Sequence, residues 1–126
     1  MSNNILTKNY TAEGTIGACL IVKGGSNDYG VLQASAGADK TLGITVADIS
    51  TYASGDSVDV VVMGIADLTL GGTVARGDLL MSDANGCGIV AAAAGGSNVR
   101  VIGRAEISGV SGDIIPVLVL PSMFQG

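Results

Sequence analysis

The chain has 126 residues, a formal charge of −5, no His and no Trp, and is 48% hydrophobic but only 3% aromatic. That length makes one domain with a sizeable core. The acidity removes the electrostatic attraction that phosphate backbones offer, so no nucleic acid partner is expected. No apolar run reaches the roughly 18 residues of a membrane-spanning helix, and no membrane partner is expected either.

A core of Val, Ile, Leu and Ala with few rings favours strands, because β-branched side chains fit a pleated surface. The 20 Gly fall between short apolar runs and mark turns. The expected fold class is all-β: a compact sandwich or barrel-like domain built from two pseudo-repeats, with an extended arm at the N-terminus.

In chain order, residues 1–13 are polar apart from Ile5, Leu6 and Tyr10. They contain no secretory h-region, so synthesis and assembly in the cytoplasm are expected. The segment reads either as a frayed terminus or as an arm that orders on a neighbouring subunit, with those three residues as anchors. Residues 17–22 and 29–34 form a hairpin across a Gly-rich turn. A strand follows over 40–47, then a polar stretch at 48–54 that crosses between sheet edges. The strand 58–63 is apolar on both faces beyond Asp59, as in a strand covered on both sides, and 64–70 continues it. In the second half Asn85-Gly86, flanked by apolar runs, predicts another hairpin. The four residues 91–94 are too few for a stable helix and read as a strand end and loop. Strands are expected over 99–107 and 114–120, with Pro116 marking an edge or a bulge. The tail 121–126 holds Phe124, the only Phe, which would serve as an anchor on a partner.

The two halves repeat. Residues 16–22, 30–32, 42–47, Ser54-Gly55-Asp56 and 58–62 are matched in order by the run from Gly77-Asp78-Leu79-Leu80, by 88–90, by 101–107, by Ser111-Gly112-Asp113 and by 114–120. Two units of about 60 residues make one pseudo-twofold domain and not a solenoid. The expected organisation is an arm at 1–13, a single β domain at 14–120 with pseudo-repeats 14–70 and 74–120, and a tail at 121–126.

Reactive chemistry is hard to find. Without His the commonest general base and zinc ligand are missing. Gly109-Val110-Ser111-Gly112-Asp113 has the wrong last residue for a nucleophile elbow, and no base. Gly86-Cys87-Gly88-Ile89-Val90-Ala91 matches a dinucleotide fingerprint in letters only, since β-branched residues follow where a helix is needed. Asp83 and Asn85 have calcium-loop spacing but no closing Glu. Asp56 and Asp113 are explained as turn caps. Cys19 and Cys87 read as reduced thiols, with a disulfide as the lesser alternative. No enzyme, no cofactor and no metal site are expected.

Gly77-Asp78-Leu79-Leu80, Ser82-Asp83-Ala84-Asn85-Gly86, Val101-Ile102-Gly103-Arg104-Ala105 and Gly112-Asp113-Ile114-Ile115-Pro116-Val117-Leu118 together resemble the capsid cement, or head decoration, proteins of tailed bacteriophages. Leu42-Gly43-Ile44 and Gly55-Asp56-Ser57-Val58-Asp59-Val60 are similar to the first half of that family, so that the resemblance spans residues 13–120. It implies a non-enzymatic virion protein that forms homotrimers, sits on the outside of the head and bridges neighbouring major capsid proteins. Ile5, Leu6, Tyr10 and Phe124 are then the expected capsid or subunit contacts. The rival reading is a β-sandwich module of a phage surface or tail structure that binds carbohydrate or a receptor, for which three Tyr and one Phe supply few aromatic platforms.

Overall fold

A computed structural model describes residues 3–37, 39–46, 51–92 and 98–125. Among the described residues every regular element is a strand: β1 (Asn3–Ala12), β2 (Ile16–Gly17), β3 (Ile21–Gly24), β4 (Gly30–Gln33), β5 (Thr41–Thr45), β6 (Thr51–Tyr52), β7 (Ser57–Thr69), β8 (Leu79–Ser82), β9 (Gly88–Val90), β10 (Asn98–Ala105) and β11 (Ile114–Gln125). Nine of them join in one sheet of order β1-β4-β3-β5-β7-β11-β10-β8-β9, while β2 and β6 pair separately. Because β1 also pairs with β7, the first five strands close into a small barrel-like ring. The last five come back on themselves through a parallel bridge between Leu70, just past β7, and Gly88 of β9. The all-β, barrel-like fold expected from composition is the fold observed.

The long strand β7 is the spine shared by both rings. Val58 and Val60 enter a core with Tyr10, Ile16, Val22, Val31 and Tyr52. Val61, Ala66 and Leu68 enter the other, with Leu80, Ile102, Ile115 and Val117. In a regular strand Val61 and Ala66 would point to opposite faces. The register against β1 resolves this: Val62, between the paired Val61 and Met63, is an extra residue on β7 that flips the alternation, and Ile5 is a compensating extra residue on β1 beside Gly64, whose φ is +112°. Glycine fits because a Cβ makes positive φ costly.

The halves repeat bond for bond. Ala12 N–H donates to the Asp56 carbonyl at 2.9 Å, and Leu70 N–H to the Asp113 carbonyl at 2.8 Å. Gly55 N–H returns to Ala12 and Gly112 N–H to Leu70. Cys19 N–H reaches Thr45 as Gly77 N–H reaches Ala105, and both residues have positive φ. These equivalences match the segment before Ala12 to the segment before Leu70. Residues 1–13, expected as an arm outside the pseudo-repeats 14–70 and 74–120, therefore include a part of the repeat: the later part of β7, from Gly64, is to β11 what β1 is to the first part of β7.

Other expectations shift with this. The segment read as an arm is, from Asn3 to Ala12, a strand in the chain's own sheet, held by a ladder to β7 and by Asn9 Nδ2 donating to Ser57 and Asp59. The residues read as a tail continue β11 to Gln125, paired with β10. The Asn85-Gly86 hairpin exists, but its loop has five residues, 83–87, because the Asp83 carboxylate caps Asn85 N–H and Cys87 N–H. Pro116 lies in a strand flanked on both sides, not at an edge. Its carbonyl accepts from Glu106, one residue beyond β10, so its missing N–H falls on the side where that ladder has stopped. Of the crossing segment 48–54, residues 48–50 lie outside the described residues, as do 93 and 94 of the segment 91–94. Both cysteines are free thiols.

Candidate functional site

The polar groups of the described residues are largely occupied in building turns. The three Gly-Asp turns use one device: Asp56, Asp78 and Asp113 accept from the N–H three residues earlier, at Ala53, Ala75 and Val110, at 2.8–3.0 Å. The Glu13 carboxylate accepts from Asn27 N–H at 2.9 Å, from the Ser26 hydroxyl at 2.7 Å and from Ser26 N–H at 2.8 Å. These bonds hold its pKa below the usual Glu value, the Asn27 amide contributing most. Asp39 is pushed up by burial, yet the Ser35 amide and Lys23, 3.4 Å away, hold it below the ordinary Asp value. Burial pushes both thiols up, that of Cys19 with help from Asp67 and that of Cys87 with help from Asp83, which makes them poor nucleophiles at neutral pH. No group of three metal-ligating side chains comes together among the described residues.

Two surface features of the described residues bear on binding. Leu6 and Met63 are cross-strand partners on β1 and β7, 46% and 48% exposed, and the exposed Leu120 lies one residue past the Val119–Gly64 pair on β11. They mark an apolar row across three strands. The second feature is an open groove of about 370 Å³ lined by Arg76, Gly77, Arg104, Ala105 and Glu106, with Arg104 Nε 3.4 Å from Glu106. The half-exposed Leu79 borders it, opposite Arg104 in register.

Of the four residues expected to face a partner, the structure gives Leu6 an exposed side chain. Tyr10 is only 9% exposed: its ring fills the first core under the Lys8 ammonium, 5.4 Å above it. The side chains of Ile5 and Phe124 lie outside the described residues, although their backbones lie in β1 and β11. Leu6 pairs with Met63 of β7 and Phe124 with Val99 of β10, while Tyr10 is in the core, so the structure does not gather the four into one site. Sequence reasoning missed Met63, Leu79, Arg76 and Arg104. A clue was present: Leu79 and Arg104 occupy the places of Ile21 and Ile44, and Arg is out of keeping with a core position.

No protein-family model and no curated protein matches the chain. Among solved structures, the head fiber gp8.5 N base of bacteriophage phi29 matches with a TM-score of 0.65 at 13% sequence identity. The match covers 91% of this chain and 93% of that one. At such identity the likeness is one of fold, and it takes in both rings and not a single shared hairpin.

Proposed function

We propose that the chain is a non-enzymatic structural protein of a tailed-phage virion: a cement subunit that binds the exterior of the head as a homotrimer and bridges neighbouring major capsid proteins. The observation that supports this best is the fold likeness to a phage head fiber base over nearly the whole length of both chains. The turn and strand motifs that resemble cement proteins point the same way. So does the use of carboxylates as turn caps, which leaves few polar groups for reaction chemistry. A lattice-bound trimer gains effective concentration, so each contact with the shell can be modest. Within this reading Leu6, with Met63 and Leu120 beside it, forms the capsid-facing row, and Ile5 and Phe124 are further contacts outside it.

The test is electron cryomicroscopy of expanded heads of the encoding phage after incubation with the purified chain. Trimeric external density at the seams between capsomers is expected. Heads that stay bare at micromolar protein would overturn the reading. Leu6→Ser with Met63→Ser is expected to abolish the density while leaving thermal unfolding nearly unchanged, since both side chains are already half in water. The fiber-base likeness favours a second reading, in which the domain anchors a projecting appendage. A thin protrusion above each density, in place of a flat cap, would select it.

A further inference from the structure

The two halves are alike in bonding but not in what covers them. In the first half Ile21, Ile44 and Val61 stand in direct register on β3, β5 and β7, and all three are buried. Their cover comes from the second half. The Gly86 carbonyl accepts from Ile21 N–H at 2.8 Å, the Asn85 carbonyl from Gln33 Nε2 at 2.8 Å, and Thr69 N–H donates to Cys19 at 2.8 Å. The Asn85-Gly86 tip thus docks on the outer face of the first ring.

The matching row of the second half is Leu79, Arg104 and Leu118, in the same register on β8, β10 and β11. Ala91 N–H donates to Leu79 as Ala34 N–H does to Ile21. Here the exposure is reversed: Leu79 is 48% exposed where Ile21 is 0%, and Arg104 is exposed where Ile44 is buried. The side chains of the matching tip are exposed. The loop between β3 and β4 holds the same place in the first half as 83–87 in the second, with one residue more between the paired ends Gly24–Val31 than between Ser82–Gly88, and residues 27–29 form its tip. Asn27 and Asp28 are exposed, and Tyr29 is 76% exposed.

One open face and one open tip, matched to a face and a tip already joined within the chain, define a contact between subunits. We infer that residues 27–29 of one subunit dock on the Leu79–Arg104–Leu118 face of a second copy of this chain. The Asp28 carboxylate lies against Arg104 and Arg76, and the Tyr29 ring lies on Leu79. Charge supports the pairing: an acidic tip meets a groove with two of the six cationic side chains of a chain that carries 11 acidic ones. The contact repeats the tip and not the whole intramolecular interface, because Thr11 N–H, the counterpart of Thr69, is already bound to the Tyr29 carbonyl at 2.8 Å. Such a contact is heterologous, and it closes into a ring of three when each copy is turned by a third of a circle from the last. This inference rests on the self-association proposed above and supplies its geometry.

Sedimentation velocity of the full chain tests it, with folding checked by circular dichroism. Wild type is expected to sediment as a trimer. Asp28→Arg and Arg104→Asp are each expected to weaken association at least tenfold, and the double variant to recover most of it. Tyr29→Ser weakens association without touching Arg104, and so carries the test if loss of the Glu106 pair disturbs the fold. Trimers unaffected by Asp28→Arg and Tyr29→Ser would overturn the contact and leave the trimeric cement reading standing. A wild-type chain that stays monomeric at all concentrations would overturn both.

Discussion

At the scale of single residues, glycines of two kinds support the repeat, and they separate by experiment. A Cβ on Gly43 would lie 2.2 Å from the Val61 carbonyl oxygen, and one on Gly103 would lie 2.0 Å from that of Leu118. These are equivalent positions where β5 crosses β7 and β10 crosses β11, and the obstacle is backbone, which cannot swing aside. Gly43→Ala and Gly103→Ala are expected to destabilise by about 1–3 kcal/mol each, as overpacking does. Gly77 has open space around its Cβ position and a φ of +92°, so Gly77→Ala is expected to cost only the conformational term, ~1 kcal/mol. Urea denaturation of the three variants would rank them. Acid stability also belongs at this scale. Glu13 and Asp39 have folded pKa values below their ordinary ones, so each contributes stability above its unfolded pKa and loses it as pH falls through the folded value. Melting temperature should therefore drop on acidification below the ordinary carboxylate range. Glu13→Gln should flatten that limb relative to wild type.

At the scale of elements, the decisive case is β1. Deleting residues 1–9 removes most of its ladder to β7 and opens the first ring. The expected result is a large loss of stability in the isolated chain, seen in thermal unfolding, and not merely weaker binding to a neighbour. Tyr10→Ala alone should cost about 3 kcal/mol, in the range for emptying a large buried side chain. The sequence showed the hairpins, the doubled turns and the all-β class, because Gly-Asp turns and apolar alternation are local signals. It hid β1, where Asn3, Asn4, Lys8 and Asn9 dilute the alternation and the strand is fixed by backbone pairing to residues some 50 positions away. It hid the repeat boundary for a related reason. The run from 57 to 69 is one continuous strand that ends the first ring and begins the second, and only the bulge at Val62, just before Gly64, separates the two roles. The half-exposed Met63 could not be told from a core residue by pattern, since its neighbours are Val60, Val61 and Val62.

At the scale of the whole molecule, two rings share one spine, one face is spent inside the chain and its counterpart is open. Association and folding should therefore be linked. If the open face is filled by the tip of a neighbour, every ring of three buries three such contacts that unfolded chains lack, and stability becomes dependent on concentration. For a trimer unfolding directly to monomers, a tenfold rise in protein adds about 2 × 1.4 kcal/mol per trimer, or ~0.9 kcal/mol per chain. Scanning calorimetry over two decades of concentration should accordingly show the melting temperature climbing steadily for wild type and staying flat for Asp28→Arg. The wild-type slope should persist in Leu6→Ser with Met63→Ser if, as proposed, that row faces the shell and not the neighbouring subunit. A slope lost in the second variant as well would mean that the apolar row belongs to the subunit contact, and the division of labour between the two surfaces would have to be redrawn.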